Sequence, residues 1–176
     1  MNPDYVVLVD ELDQEIGVME KFAAHEQGKL HRAFSVFIFN DKHELLLQRR
    51  ALGKYHSEGL WSNTCCSHPM QGEEIIVAAK RRLKEEMGMS CDLKHTFKFI
   101  YHAELDNDLK EHEIDHILIG FSNETPHPNL EEVIAFKWLS LDFLKKDIEI
   151  NQSSYSAWLK LLIRNHYSQI LKNLKP

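Results

Sequence analysis

The sequence predicts a single α+β domain, an α/β sandwich, and three observations carry that expectation. The candidate elements run β-β-β-β-α-β-β-β-α-α, an order too irregular for a barrel or a doubly wound sheet. The hydrophobic period changes from two to helical after Gly72. No repeat and no Ser/Gly/Pro-rich linker divides the chain, so one domain over residues 1–176 is expected.

Tyr5–Val9 and residues 16–19 are short β-branched runs separated by Asp-Glu-Leu-Asp, which predicts an N-terminal hairpin. Residues 33–39 (AFSVFIF) read as a buried strand, and Asp41-Lys42 turns it into a second one at 44–48. Ile75, Ile76, Ala79, Leu83 and Met87 then form an apolar helical stripe that Gly88 stops, with Glu73 and Glu74 at its positive N-terminal end. Strands are expected at 96–103, 114–121 and 133–139. Residues 140–146 read as a helix. A second helix over 154–171, capped by Ser153 or Ser154, is amphipathic through Trp158, Leu161, Leu162 and Ile170.

Twenty-one Lys+Arg against 27 Asp+Glu give a net charge of −6, which argues against non-specific nucleic-acid binding. It leaves room for an anionic ligand held by a few placed cations. Three cysteines, two of them adjacent, do not make a disulfide framework. Asp4, Asp10, Glu11 and Asp13 interrupt any leader peptide, and no apolar stretch reaches membrane-spanning length. The expectation is a cytoplasmic protein, monomeric or weakly dimeric, with no membrane partner and with free thiols. Histidine is over-represented at 11 copies.

The stretch SHPMQGEEIIVAAKRRLKEEMGM, residues 67–89, places Glu73 eight residues before Arg81 and a carboxylate pair, Glu85 and Glu86, at the helix end before a glycine. This resembles the Nudix box, a loop-helix-loop whose glutamates hold divalent cations against a diphosphate. Ser67 stands where that family has its first glycine, and Arg82 where the box has a glutamate. Upstream, Trp61-Ser62-Asn63-Thr64-Cys65-Cys66-Ser67-His68-Pro69 is similar to the W-x-N-x-x-C-x-H-P signature of type 1 isopentenyl-diphosphate isomerases. Lys21-Phe22-Ala23-Ala24-His25, Leu30-His31-Arg32-Ala33-Phe34-Ser35, Arg49-Arg50-Ala51-Leu52-Gly53-Lys54, Tyr101 and Glu111-His112-Glu113 agree in order and spacing.

The resemblance implies a Nudix-like mixed sheet flanked by helices and a reaction that shifts a double bond of a small diphosphate. It implies a divalent ion, Mn²⁺ or Zn²⁺, on His25, His31, His68, Glu111 and Glu113, a donor set suited to such metals. It makes Cys66 and Glu113 the two proton-handling groups, with Tyr101 either assisting Glu113 or serving as a core-edge tyrosine. Lys21, Arg50, Lys54 and Arg82 would cradle the diphosphate, and Glu86 would carry Mg²⁺ bridging to it. Trp158 reads either as plain core or as the ring over the substrate. Cys65 and Cys91 read as small buried hydrophobes. His43, His56, His95, His102, His116, His127 and His166 match no family position and read as surface residues. The competing expectations are a Nudix hydrolase of a nucleoside diphosphate derivative, with Arg82 against it, and a metal-binding module without catalysis.

Overall fold

The computed structural model describes residues 5–174; Asp4 and the two ends of the expected domain lie outside them. The central strand is β3 (His31–Phe39), whose AFSVFIF run is buried on both faces. One edge of β3 pairs in parallel with β8 (Lys110–Phe121) from His31 opposite Glu113 to Phe39 opposite Phe121. Its other edge is shared by β1 (Tyr5–Val9), by β6 (Cys65–Ser67) and, through Phe39 opposite Leu45, by β4 (Glu44–Arg50). β2 (Glu15–Glu20) closes the expected hairpin on β1, β7 (Leu93–Glu104) flanks β8, and β5 (Trp61–Ser62) and β9 (Val133–Ser140) flank β4.

Strand alternation sorts the core into two layers. Phe37, Phe39, Ile117 and Ile119 face α3 (Leu141–Ile150), α4 (Ala157–Asn165) and α5 (Tyr167–Lys172). Phe34, Val36, Ile38 and Leu118 face α2 (Ile75–Met87), where Ala78, Ala79, Leu83 and Met87 are buried. Ile76, expected in that stripe, is 39% exposed, and Ala78 takes its place. Gly88 ends α2 at φ 65°, the left-handed conformation that costs glycine least. Because β3 and β4 share one register pair and then separate, a cleft opens between them.

The helix expected over 154–171 is corrected. Gln152–Ser154 form a 3₁₀ turn, Ser156 is the N-cap, and the helix breaks at His166 into α4 and α5. Asn165, His166 and Tyr167 are weak helix formers, and the break lets the His166 ring pack on Phe99 at 4.4 Å. The six-residue α1 (Lys21–Glu26) is too short to show a period; the Glu20 carboxylate caps it by accepting from the N–H groups of Phe22 and Ala23. Among the described residues, no helix is long and apolar enough to cross a membrane.

The expectation that His116 lies on the surface is also corrected, since it is buried. Its Nε2 is 2.9 Å from Asp13 Oδ2 and its Nδ1 2.9 Å from His95 Nε2. Asp13, at the left-handed turn of the hairpin (φ 68°), also accepts from Arg32 Nε at 2.7 Å and Lys98 Nζ at 2.8 Å. Burial opposes its charge, but the hydrogen bonds from Lys98 and Arg32 and the nearby His116 outweigh it and hold the carboxyl below its usual range. This contribution to stability is therefore present above about pH 4 and is lost as the pH falls through the folded-state value. Asp13→Asn, which keeps the left-handed backbone, is expected to lower unfolding free energy by about 1–3 kcal/mol at pH 7. Denaturant titrations over a pH series check this: the gap between variant and wild type closes below about pH 4.

Candidate active site

Three neighbouring strands carry the centre of the site in one transverse row. Tyr101 on β7 lies opposite Glu113 on β8, and Glu113 opposite His31 on β3. Glu111 and Glu113, two residues apart, share a face, and the Tyr101 hydroxyl contacts both, 2.6 Å from Glu113 Oε2 and in short contact with Glu111 Oε2. His112 turns the other way, its Nδ1 3.1 Å from the Gly28 carbonyl.

Around Glu113 the structure gathers three imidazoles. His31 Nε2 is 3.3 Å and His68 Nε2 3.0 Å from Glu113 Oε1. His25 comes from α1, its ring 4.8 Å from that of His31. Ligand atoms of His25, His31, His68 and Glu113 all lie within 4.8 Å of one another. The Nδ1 atoms of His25 and His31 are engaged by the carbonyls of Lys21 (2.7 Å) and Lys29 (2.8 Å). Their Nε2 atoms are buried without a hydrogen-bond partner, the signature of an imidazole oriented to bind a cation. The residues therefore fit a divalent metal. The five expected ligands do not form one group: Glu111 clusters with His25 and His56 instead. The expectation that His56 lies on the surface is thus corrected as well. It is buried, and it lines the cavity.

Burial, with the positive charge of neighbouring groups, keeps these imidazoles neutral and able to ligate: His25 is shifted down, His68 down to about 4 and His56 down to about 2. The two carboxylates split. Burial raises Glu111, reinforced by the charge of Glu113. Burial opposes ionisation of Glu113 too, but the adjoining His31 ring and the His68 hydrogen bond overcome it and hold Glu113 well below its usual range. A phenol has one proton to give. With Glu111 protonated, its O–H meets the Tyr101 oxygen, and the Tyr101 proton goes to Glu113.

The cleft between β3 and β4 is a cavity of about 140 Å³. Cys66, His68, Tyr101, Glu111, Glu113 and Trp158 line it, as do Lys21, Arg50, Lys54, Arg82 and Glu86. Cys66 reaches it from β6, opposite Ser35; burial pushes its thiol up to about 12, against the opposing charge of Arg50, so it holds its proton. Trp158 is both core and cavity wall: its indole N–H donates to Ser62 Oγ (2.8 Å) and Asn63 Oδ1 (3.0 Å), and the Arg50 guanidinium carbon lies 5.3 Å from its ring centre. Lys21 Nζ sits 5.0 Å over the Tyr55 ring. Cys65 is buried, as expected, whereas Cys91 is half-buried.

Two of these cations, Arg82 and Lys54, are paired with carboxylates. Arg82 donates to Glu85 (2.8 Å) and Glu86 (2.7 Å) and lies 3.4 Å from Glu132, which also pairs with Lys54. Gln48 Nε2 donates to the other Glu86 oxygen at 3.0 Å.

Residues 29–159 match the NUDIX domain family. The DR0079 protein of Deinococcus radiodurans has the same fold at a TM-score of 0.77, with 18% identity over 93% of this chain and 99% of that one. Isopentenyl-diphosphate Delta-isomerase 1 of Aromatoleum aromaticum is 52% identical over 91% of this chain and 90% of its own length. The isopentenyl-diphosphate Delta-isomerase of Pectobacterium atrosepticum is 50% identical over 89% of this chain and 87% of its own. The chain belongs to the isopentenyl-diphosphate Delta-isomerase family. In this isomerase-family member, the helix of the Nudix box points an arginine, Arg82, at the cavity from the position where the box has a glutamate.

Sequence reasoning missed His56, Gln48 and Ser35, which line the cavity. Gln48 and Ser35 occur inside apolar strand patterns and are polar only toward the cleft. His56 sits in an irregular loop where no period applies.

Removing Arg82 would leave the buried Glu86 without its cation, and Arg82→Ala is expected to cost about 3 kcal/mol of stability. Arg82→Lys should restore only part of this, because one ammonium cannot fork between Glu85 and Glu86 as a guanidinium does. Denaturant midpoints of the two variants check the order.

Proposed function

We propose that this chain interconverts isopentenyl and dimethylallyl diphosphate by adding a proton to one carbon and removing one from another. The observation that carries the reading is a pair of groups in one small cavity: a thiol that keeps its proton, Cys66, and a carboxylate held ionised, Glu113. The pair holds one exchangeable proton between them. A proton goes to the terminal methylene carbon from the group that carries it, and another leaves the allylic carbon for the group that lacks it. The hydrocarbon keeps its hydrogen count, and the pair ends in the reciprocal state, from which the reverse reaction starts.

Cavity size agrees with the substrate. About 150 Å³ admits a six-carbon ring, so about 140 Å³ suits a five-carbon chain with little space left for water. A dry cavity matters because the protonated alkene is a tertiary cation that water would trap. Trp158 offers that cation an aromatic ring, worth roughly 2 kcal/mol when desolvated, a ring the Arg50 guanidinium already engages at 5.3 Å. Tyr101 supplies a proton path to Glu113.

At the mouth, Lys21, Arg50, Lys54 and Arg82 hold the diphosphate, and their local charge overrides the net charge of the chain. His25, His31, His68 and Glu113, whose ligand atoms cluster, would hold Mn²⁺ or Zn²⁺, with Glu111 joining them only by moving from its own cluster with His25 and His56, and Glu86 would hold a Mg²⁺ with the diphosphate. A bound divalent ion supplies positive field that orients Glu113 and sets its proton affinity. Glu85 and Glu86, already engaged by Arg82, are poorly placed to activate water, which supports binding the diphosphate intact over hydrolysing it. The reading places the enzyme in the cytoplasm.

Incubation with isopentenyl diphosphate and Mg²⁺ in D₂O, followed by NMR, tests the proposal. Deuterated dimethylallyl product is expected; free phosphate would point to a hydrolase, and unchanged substrate to a binding module, either of which overturns the reading. Cys66→Ala is expected to lower turnover by at least about 10²-fold, with metal content and melting temperature near those of wild type. Near-normal turnover would remove the thiol from the reaction.

A further inference from the structure

The cavity has two ends. Arg82, Glu86, Lys54 and Glu132 mark its mouth through their ion pairs, and Tyr101, Glu111 and Glu113 mark its deep end through the phenol they share. One large side chain that the proposed reaction does not use lies at the deep end. The His56 ring stands perpendicular to that of Trp158 at 5.9 Å and to that of Tyr55 at 4.4 Å. It stacks on His25 at 5.7 Å and 29°, and its Nε2 is 3.8 Å from Glu111 Oε1. His56 is buried and lines the cavity. A diphosphate held at the mouth points its hydrocarbon toward this ring.

The loop that carries His56 is held from several directions. Arg50 donates from Nε to the Ser57 carbonyl and from Nη2 to the His56 carbonyl, both at 3.2 Å. The Asp106 carboxylate accepts from the Ser57 N–H at 3.0 Å, and Asn107 Nδ2 donates to the Tyr55 carbonyl at 3.3 Å. Ser57 itself is at φ 51°, a left-handed conformation that a serine adopts only when its surroundings impose it. The ring is fixed as well, with Nδ1 3.2 Å from Ser57 Oγ and three other rings packed around it. A side chain clamped in this way resists displacement by a larger ligand.

A cavity of about 140 Å³ that suits a five-carbon chain takes one more methylene only if a wall moves. Cys66, Glu113, Tyr101 and Trp158 each have a task in the proposed reaction. His56 has none, and its bulk stands where added carbon would go. We infer that the His56 ring is a specificity-determining wall, which limits the hydrocarbon this enzyme accepts to five carbons and rejects homologues one methylene larger. The inference deepens the isomerase reading and rests on it.

The test is a competition. Full-length protein is given isopentenyl diphosphate together with 3-ethylbut-3-enyl diphosphate, in which an ethyl group replaces the methyl, and the ratio of the two kcat/KM values is read by NMR. Wild type should favour the five-carbon substrate by about 100-fold, and His56→Ala should narrow that ratio about tenfold. His56→Phe, which keeps a ring of similar size, should leave the ratio near that of wild type. A structural role alone would lower both rates together, so an unchanged ratio in His56→Ala overturns the inference. A ratio narrowed as much in His56→Phe also overturns it, because bulk would not be what discriminates. If His56→Ala folds poorly, wild type still decides: equal rates on the two substrates would show that no wall limits the chain. Turnover of neither substrate by wild type would overturn the isomerase reading beneath the inference.

Discussion

The register between β3 and β8 is the constraint on which the rest depends. His31 opposite Glu113, with Tyr101 opposite Glu113 on the far side, sets a phenol, a carboxylate and an imidazole in line across three strands. Side chains alternate along a strand, so a slip of one residue would send Glu111 and Glu113 to the α2 face and bring His112 into the site. The apolar positions prevent that slip. Ile117 and Ile119 must meet the C-terminal helices while Leu118 meets α2, and the same alternation that buries them aims the glutamates. Packing at one end of β8 therefore fixes chemistry at the other.

Separation of β3 from β4 is what makes that chemistry accessible. Had the two strands stayed paired beyond Phe39 and Leu45, ladder hydrogen bonds would fill the cleft. Instead β6 pairs with β3 and β5 with β4, which satisfies part of the divided backbone and delivers Cys66 to the cavity wall. Asn63 and Thr64 between these short strands bind backbone across the gap: Asn63 Nδ2 donates to the Val36 carbonyl, and Thr64 Oγ1 donates to that of Leu46. The W-x-N-x-x-C-x-H-P stretch is thus structural at its asparagine, while its cysteine and histidine line the cavity.

Most of the fold was legible because burial enforces period. The strands from residue 5 to 140 appear within a few positions of where alternation puts them, and Gly88 stops α2 as its conformational freedom requires. Elements of two, three and six residues, β5, β6 and α1, are shorter than any period that would reveal them. The expected C-terminal helix failed for a different reason: its amphipathic stripe continues through His166 although the backbone does not. In the site, the expected residues came from family motifs, and the cavity brings most of them together with His25 and His31 beside it. His56 and His116 were misread because a histidine is apolar enough to bury and polar enough to expose. Only its neighbours, Glu111 for one and Asp13 for the other, decide which.

Those neighbours also explain how an acidic chain can build a cavity for an anion. Charge near the cleft is arranged in tiers. Glu111 and Glu113 lie deep, among imidazoles kept neutral by burial. Glu86 and Glu132 lie toward the mouth, each matched to Arg82, with Lys54 on Glu132 as well. An incoming diphosphate would compete with Glu85, Glu86 and Glu132 for donors already oriented toward the cavity. That exchange substitutes one anion for another, and so avoids desolvating bare cations, which is the larger part of the cost in buried ion pairing. The carboxylates at the mouth therefore hold Arg82 and Lys54 oriented at the cavity, where the proposed diphosphate site would need them.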